Sequence, residues 1–536
     1  MHSAILLCLG LVFSVSILVL IAQKIRIAYP IFLAIAGIVV GFIPMLPTIG
    51  IDPELVFLVI LPPILYEAAQ SISLKELWKW RRIISVMAIG FVFFTTVTVA
   101  CISHWLIPGF SWQHGFLLGA IISPPDAAAA TTVLKYVKIP KGIVSILEGE
   151  SLPNDATSLT IFRFSLAAIA TSHFTWHEAA GGFAFVVVFG VAIGLAFGFI
   201  FNFLLKRLPA NSELDIAFSL VIPHVMYITA ESLHSSGVLA VVSGGLLIAY
   251  KNHFDISHSS RLKAGAIWTS LVFILNAVIF FLIGLQLPSI VNDLKGIALR
   301  DAIIISIIIT IVITATRLFS GILSALFTRF ISRYITVAQA APGWRNPAIV
   351  GWVAMRGVVS LASAMSIPVL LTNGEEFPHR SLILFVTFFV TIVTLVGQGL
   401  MLPWLVKVVK PQELSTRKTD DVQMFEMEAQ LSKVAVDELE QHHAKTMERN
   451  FLVKHKFDTL RDKVEMLEIN KESEEGFKHA TGMLDEFNKV MHAVATRQRQ
   501  ELHKFRRMTD YDDNVIKAIE TKLDLEEEKL GEGNGH

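Results

Sequence analysis

The stretch Glu148-Gly149-Glu150-Ser151-Leu152-Pro153-Asn154-Asp155-Ala156-Thr157-Ser158 heads an apolar segment that runs to about residue 171. If that segment spans a bilayer, Glu150, Asn154 and Asp155 lie inside it. A carboxylate at that depth costs roughly 2.5–3.5 kcal/mol on insertion scales, so a functional role is its default reading. The competing reading is a buried acid neutralised by an arginine that holds two helices together. Asp155 fits the first better; Glu150 fits both equally.

Outward from this stretch, composition sets the class. Of 536 residues, 53% are hydrophobic and 17% charged, where a soluble chain carries about a quarter charged. Mean hydropathy is +0.60. The apolar residues form runs of 17 or more, long enough for a helix to cross roughly 30 Å of hydrocarbon. Short alternating segments, the mark of a transmembrane barrel, are absent. The net charge of zero hides a split. Residues 1–410 hold 25 Lys+Arg against 17 Asp+Glu, and residues 411–536 hold 20 against 28, so the two parts carry +8 and −8. Cys8 and Cys101 fall in separate apolar runs, which suggests neither a disulfide framework nor a zinc site. The first run lacks a basic leader and reads as a retained helix.

The expectation is an all-α polytopic membrane domain over 1–410 and a helical tail over 411–536. Thirteen spans are expected, at roughly 4–23, 27–46, 52–71, 83–107, 112–136, 143–171, 179–205, 213–232, 237–250, 264–287, 300–327, 347–371 and 380–408. Basic residues cluster after the odd-numbered spans, from Lys24 and Arg26 through Lys135, Lys138 and Lys141 to Lys407 and Lys410. After the even-numbered spans only Lys295, Arg300 and Arg380 occur. This asymmetry places the N-terminus outside and the tail in the cytoplasm. Trp105, Trp112, Trp176 and Trp268 are expected as interfacial anchors. In the tail, Pro411 and the polar run 415–421 read as a linker, and Gly476 and Tyr511-Asp512-Asp513 as breaks between helices. A regulatory or dimerising role is open to it, as is that of a plain solvated surface.

Within the spans stand Arg163, Arg317 and Arg356, facing Glu67, Asp126, Glu150 and Asp155. Asp126 lies 14 residues, about 21 Å, from one end of the fifth span, and Asp155 lies 12 residues, about 18 Å, from the opposite end of the sixth. Both acids are therefore expected near the membrane midplane. Two spans read as broken: the fifth at Ile122-Ser-Pro-Pro-Asp126, the twelfth at Gly351-Trp-Val-Ala-Met-Arg-Gly-Val-Val-Ser360. Discontinuous crossing helices in inverted halves point to a secondary transporter with its site at the crossing. Ser151 and Asp155 share one helix face, and Glu150 and Asn154 share the adjacent one. With carbonyls freed after Pro125, these oxygens suit a small hard cation. One carboxylate cannot hold a proton and a cation together, so competition at Asp155 gives antiport. Arg163, eight residues beyond Asp155, is placed to tune the field or line an exit, or to serve a structural ion pair, rather than to pair directly with that acid. Arg317 and Arg356 are candidates to neutralise Glu150 and Glu67.

These residues carry a resemblance. Glu148-Gly-Glu-Ser-Leu-Pro-Asn-Asp155, preceded by Ile122-Ser-Pro-Pro-Asp-Ala127, resembles the monovalent cation:proton antiporters of the NhaP and sodium/proton exchanger type. Leu61-Pro-Pro-Ile-Leu-Tyr-Glu67, Phe280-Phe-Leu-Ile-Gly-Leu285 and Met355-Arg-Gly-Val-Val-Ser-Leu361 match it in the same order. The resemblance spans 1–410 and leaves the tail uncovered. It implies a homodimer with a dimerisation domain and a moving core of spans 4–6 and 11–13. It also implies that Asp155 and Asp126 are the transport acids, with Na⁺ at Asp155, Asp126 and Ser151 and with Glu150 in the ion shell. Asn154 in place of a second Asp resembles the electroneutral branch. Arg317 matches an arginine that pairs with the acid matching Glu150, and Arg356 a second one near Glu67 and Asn154. Pro125 departs from the family pattern, which has Thr, Val or similar there, so a threonine ligand is missing.

The expected function is exchange of Na⁺ or Li⁺ for H⁺, with K⁺/H⁺ exchange a close variant, in a bacterial inner membrane. No cofactor, enzymatic activity or nucleic acid is implied; a regulatory partner at the tail is. Two other classes compete. An intramembrane aspartyl protease would use Asp126 and Asp155 as an acid/base pair, but the arginines and prolines suit it poorly. A passive channel would show repeated filters, which are not visible.

Overall fold

Backbone polar groups in hydrocarbon find no water, so each apolar run must satisfy them within itself, and helices result. The computed structural model describes residues 2–43, 52–134, 137, 139–171, 176–207, 211–255, 258–294, 297–334, 343–371, 374–412, 420–469, 474–505 and 513–531. Helices dominate it, and its β contact is one isolated bridge, Leu370 to Glu376. Two units are separable, Met1–Leu414 and Ser415–His536.

In the first unit, α1 (His2–Lys24) and α2 (Tyr29–Gly41) precede α3 (Pro53–Ser71) and α4 (Leu74–Leu106). The proline-interrupted run gives α5 (Trp112–Ile122) and α6 (Ala127–Leu134). The motif lies on α7 (Lys141–Thr171), which passes through Pro153 without a break. Next come α8 (Trp176–Arg207), α9 (Ser212–Ser232), α10 (Gly237–Asp255), α11 (His258–Leu285) and the short α12 (Leu287–Asn292). The long α13 (Leu299–Ile331) leads to a second interrupted pair, α14 (Arg345–Trp352) and α15 (Val358–Met365), and then to α16 (Arg380–Val409).

Among the described residues, eight helical stretches are long and apolar enough to cross a membrane, and three shorter apolar ones are Leu9–Lys24, Tyr29–Gly41 and Gly237–Lys251. α7 is not among the eight; Glu148, Glu150, Asp155 and Arg163 leave it too polar. Its face bearing Glu150, Asn154, Asp155 and Ser158 is buried inside the unit, shielded from lipid by other helices. Close backbone contact holds the helices together where glycine permits it. A Cβ on Gly37 of α2 would lie 2.2 Å from the Phe281 carbonyl of α11, and one on Gly284 would lie 2.2 Å from the Ala34 carbonyl, so that pair closes only with glycine on both sides. Single π-helical turns interrupt α3 at Val56–Ile60, α4 at Val86–Phe91 and α16 at Val393–Gln398, a feature that favours functional regions.

Trp268 corrects one expectation. It is 5% exposed, packs on Tyr66 with ring centroids 5.0 Å apart and donates Nε1 to Ser219 Oγ at 3.1 Å, so it is a core residue and not an interfacial anchor. Trp105 is 84% exposed and stands at a helix end as expected.

The second unit consists of two helical hairpins. α17 (Asp420–His442) packs on α19 (Phe451–Ile469), with the short α18 (Ala444–Arg449) between them. α20 (Glu474–Phe505) packs on α21 (Asp513–Gly531), tied by Arg499 to Asp524 and Glu527. Gly476 is not a break: it lies within the first turn of α20. The linker 415–419, the positions Tyr511 and Asp512, and Lys135, Lys138 and Lys295 lie outside the described residues, as does the side chain of Trp176.

Candidate functional site

Pro124 and Pro125 bring no N–H groups, so α5 must stop and the carbonyls of its last turn need other partners. Ile122 O accepts Arg356 Nε at 2.8 Å, and Ala120 O accepts Ser158 Oγ at 2.9 Å. Pro125 O accepts Asn154 Nδ2 at 3.0 Å. Across the break, the Asp126 amide donates to Met355 O at 2.7 Å. Met355 belongs to the other interruption, Val353–Gly357, between α14 and α15. The two breaks therefore touch, backbone to backbone. Arg356 is fully buried; its amide donates to Thr394 Oγ1 at 3.1 Å on the π turn of α16, and Nη1 donates to Ala354 O.

Asp126 closes the start of α6. Its Oδ1 accepts the Ala128 amide at 2.8 Å, while Ser151 Oγ accepts the Ala127 amide at 3.3 Å. A carboxylate there faces the positive end of the α6 dipole. Gly357 is what lets it fit: a Cβ on Gly357 would lie 1.7 Å from Asp126 Oδ2.

Asp126, Ser151 and Asp155 line one cavity of about 300 Å³ with Glu67, Ser71, Thr131, Thr132, Glu148, Asn276 and Ser360. Three of the expected ion-site residues thus share one space. The other two do not face it. Asn154 is fully buried and turned to the Pro125 carbonyl, so the carbonyl expected to be free after Pro125 is occupied. Glu150 is fully buried against Arg317, with N–O separations of 2.5 Å on both carboxylate oxygens, which ties α7 to α13.

One arginine differs from expectation. Arg356 gives its described side-chain hydrogen bonds to the carbonyls of the two breaks rather than to an acid. Arg163, too far along α7 to pair directly with Asp155, forms an ion pair with Glu231, whose other oxygen accepts the Gly237 amide at 3.1 Å. That contact links α7 to the turn between α9 and α10. Glu67 lines the cavity from α3.

Sequence reasoning passed over Thr131, Thr132, Asn276 and Ser360 of the cavity, and Thr394 behind Arg356. Asn276 left a usable signal: it is the one amide in the apolar stretch 271–285, and it is 8% exposed. The threonines and serines left none, since hydroxyls often bond back to their own helix.

Comparison with known proteins bears on what this arrangement serves. Residues 10–408 match the model of the family described as sodium/hydrogen exchanger, transmembrane. A protein described as an uncharacterized Na(+)/H(+) exchanger of Mycobacterium tuberculosis is 29% identical over 530 residues, 97% of this chain and 95% of that one. A sodium, potassium, lithium and rubidium/H(+) antiporter of Bacillus subtilis is 31% identical over 399 residues, 69% of this chain and 59% of that one. Among solved structures, the sodium proton antiporter MjNhaP1 of Methanocaldococcus jannaschii superimposes with a TM-score of 0.61 at 16% identity, covering 77% of this chain and 99% of that one, and so supports the fold. These relatives are transporters, which removes the peptidase reading of the two acids. The chain is an integral membrane protein and belongs to the sodium/hydrogen exchanger family.

Proposed function

We propose that the protein exchanges Na⁺ or Li⁺ for H⁺ by competition at Asp155, one cation for one proton, with Asp126 and Ser151 completing the site. The observation that carries this reading is the shared cavity of Asp126, Ser151 and Asp155 beside two touching helix breaks. Either one cation or one proton neutralises Asp155, and a pocket that keeps that charge uncompensated is too costly to carry across the membrane. Exchange then needs no further coupling device. Asn154 is neutral and engaged with a carbonyl, so it adds no second proton and the cycle moves no net charge. Glu150 and Arg317 form a structural pair that lets α7 and α13 travel together, Arg356 braces the breaks, and Arg163 serves Glu231.

K⁺ is a credible second cargo, because the Bacillus subtilis relative is named for four alkali ions. Glu67, Ser71 and Glu148 stand at span ends that the basic residues assign to the cytoplasm, so the cavity faces that side. The same assignment puts the N-terminus outside and the tail in the cytoplasm, where a regulatory or dimerising role is open to it, and the membrane is a bacterial inner one. The working unit is a homodimer. The test is a pH-dye assay in proteoliposomes across Li⁺, Na⁺ and K⁺. A response to at least one alkali ion, unaltered when the membrane potential is clamped, is expected. Silence toward all three overturns the reading, and a potential-dependent rate overturns electroneutrality.

A further inference from the structure

The first helix of the tail has two apolar faces, and its own hairpin uses one. On α17, Phe425, Ala429 and Ser432 are buried, with Phe425 and Ala429 packed on Met466 of α19. Met424, Met427, Leu431 and Val434 are instead 52%, 58%, 70% and 64% exposed. At 3.6 residues per turn the two sets are centred roughly 150° apart, on opposite sides of the helix. A surface helix that turns one apolar stripe to its neighbour should show a polar one to water. The spacing of the exposed set is +3, +4, +3, the a/d alternation of a two-stranded coiled coil.

We infer that this stripe is a contact between the tails of two copies of this chain, paired in parallel through Met424, Met427, Leu431 and Val434. Charge argues against a lipid surface as the occupant. α17 carries seven acids and one lysine, which anionic headgroups repel. The flanking positions tolerate a like partner. Gln423 and Gln430 are neutral, and Glu428 is already paired with Lys463 at 3.0 Å. Asp420 and Glu438 stand in the same register and bound the stripe at each end. The pairing is therefore short and depends on tethering. Ten residues, 410–419, separate the last membrane helix from α17, so two chains joined in one membrane hold their stripes at high effective concentration. The two-fold axis of such a dimer runs along the membrane normal, which sets the parallel sense.

The test uses the full chain in nanodiscs, with Cys8 and Cys101 replaced by serine. Leu431→Cys, and separately Met427→Cys, should give about tenfold more oxidised dimer on a non-reducing gel than Lys433→Cys on the polar face. Adding Leu431→Asp to Met427→Cys should remove that gain. Equal cross-linking at 431 and 433 overturns the inference. So does absence of cross-linking at both 431 and 427, whether or not Leu431→Cys with Val490→Cys, on the exposed stripe of α20, closes a bond within one chain. Exchange measured in the same preparations reads the membrane site separately, so failure of one proposal does not mimic failure of the other.

Discussion

At the scale of single residues, the site depends on a carboxylate pressed against a residue with no side chain. In Gly357→Ala the added methyl meets Asp126 Oδ2 at 1.7 Å and must push the acid aside. Displacements of that size at a reacting group cost about 10–100-fold in rate, so exchange in vesicles should fall by that factor while insertion persists. Asn154→Asp removes the donor to the Pro125 carbonyl and sets an acceptor against an acceptor. The rate should drop, but with the acid turned from the cavity the exchange should remain independent of membrane potential under clamp. The sequence made Asp155, Asp126 and Ser151 legible because charge in an apolar run is rare and i, i+4 spacing fixes a face. The pairing of Glu150 with Arg317 was expected and is formed; the direction in which Asn154 points was not legible, since it depends on where a distant carbonyl comes to lie. The partner of Arg163 was not legible for the same reason: Glu231 is 68 positions away.

At the scale of elements, the breaks are stabilised by side chains reaching in from other helices. Arg317 joins α13 to Glu150 of α7, and both side chains are almost wholly buried. Removing one partner strands the other charge, so Arg317→Ala should lose about 3–5 kcal/mol of stability, read as a lowered Tm of the detergent-purified protein. Glu150→Leu with Arg317→Met should recover much of that loss, because neither charge is then stranded. If the double variant melts no higher than Arg317→Ala, the pair is not the source of the stabilisation. The interruptions themselves were legible: Pro124-Pro125 forbids continuation of α5, and Gly351 and Gly357 flag the second. Their mutual contact, Asp126 amide to Met355 carbonyl, was expected only through the logic of inverted halves. The π turns left no sequence signal, because a π turn differs from an α turn by one residue of hydrogen-bond offset.

At the scale of the whole molecule, the described residues that line the cavity and form the two breaks all belong to the membrane unit. A chain truncated after Leu414 should therefore still exchange cations for protons in vesicles; total loss of exchange would assign the tail a part in the transport step itself. The class was open to reading from hydropathy and from the +8/−8 split, whereas the second apolar face of α17 becomes evident only once its first face is seen to be occupied. The most direct test of the central claim is alkali-ion-driven dequenching of a pH dye in proteoliposomes holding the unmodified protein, Asp155→Asn or Asp126→Asn, each at matched incorporation. Dequenching by the unmodified protein and none above protein-free vesicles for either variant is the predicted result. A normal rate from Asp155→Asn would contradict it.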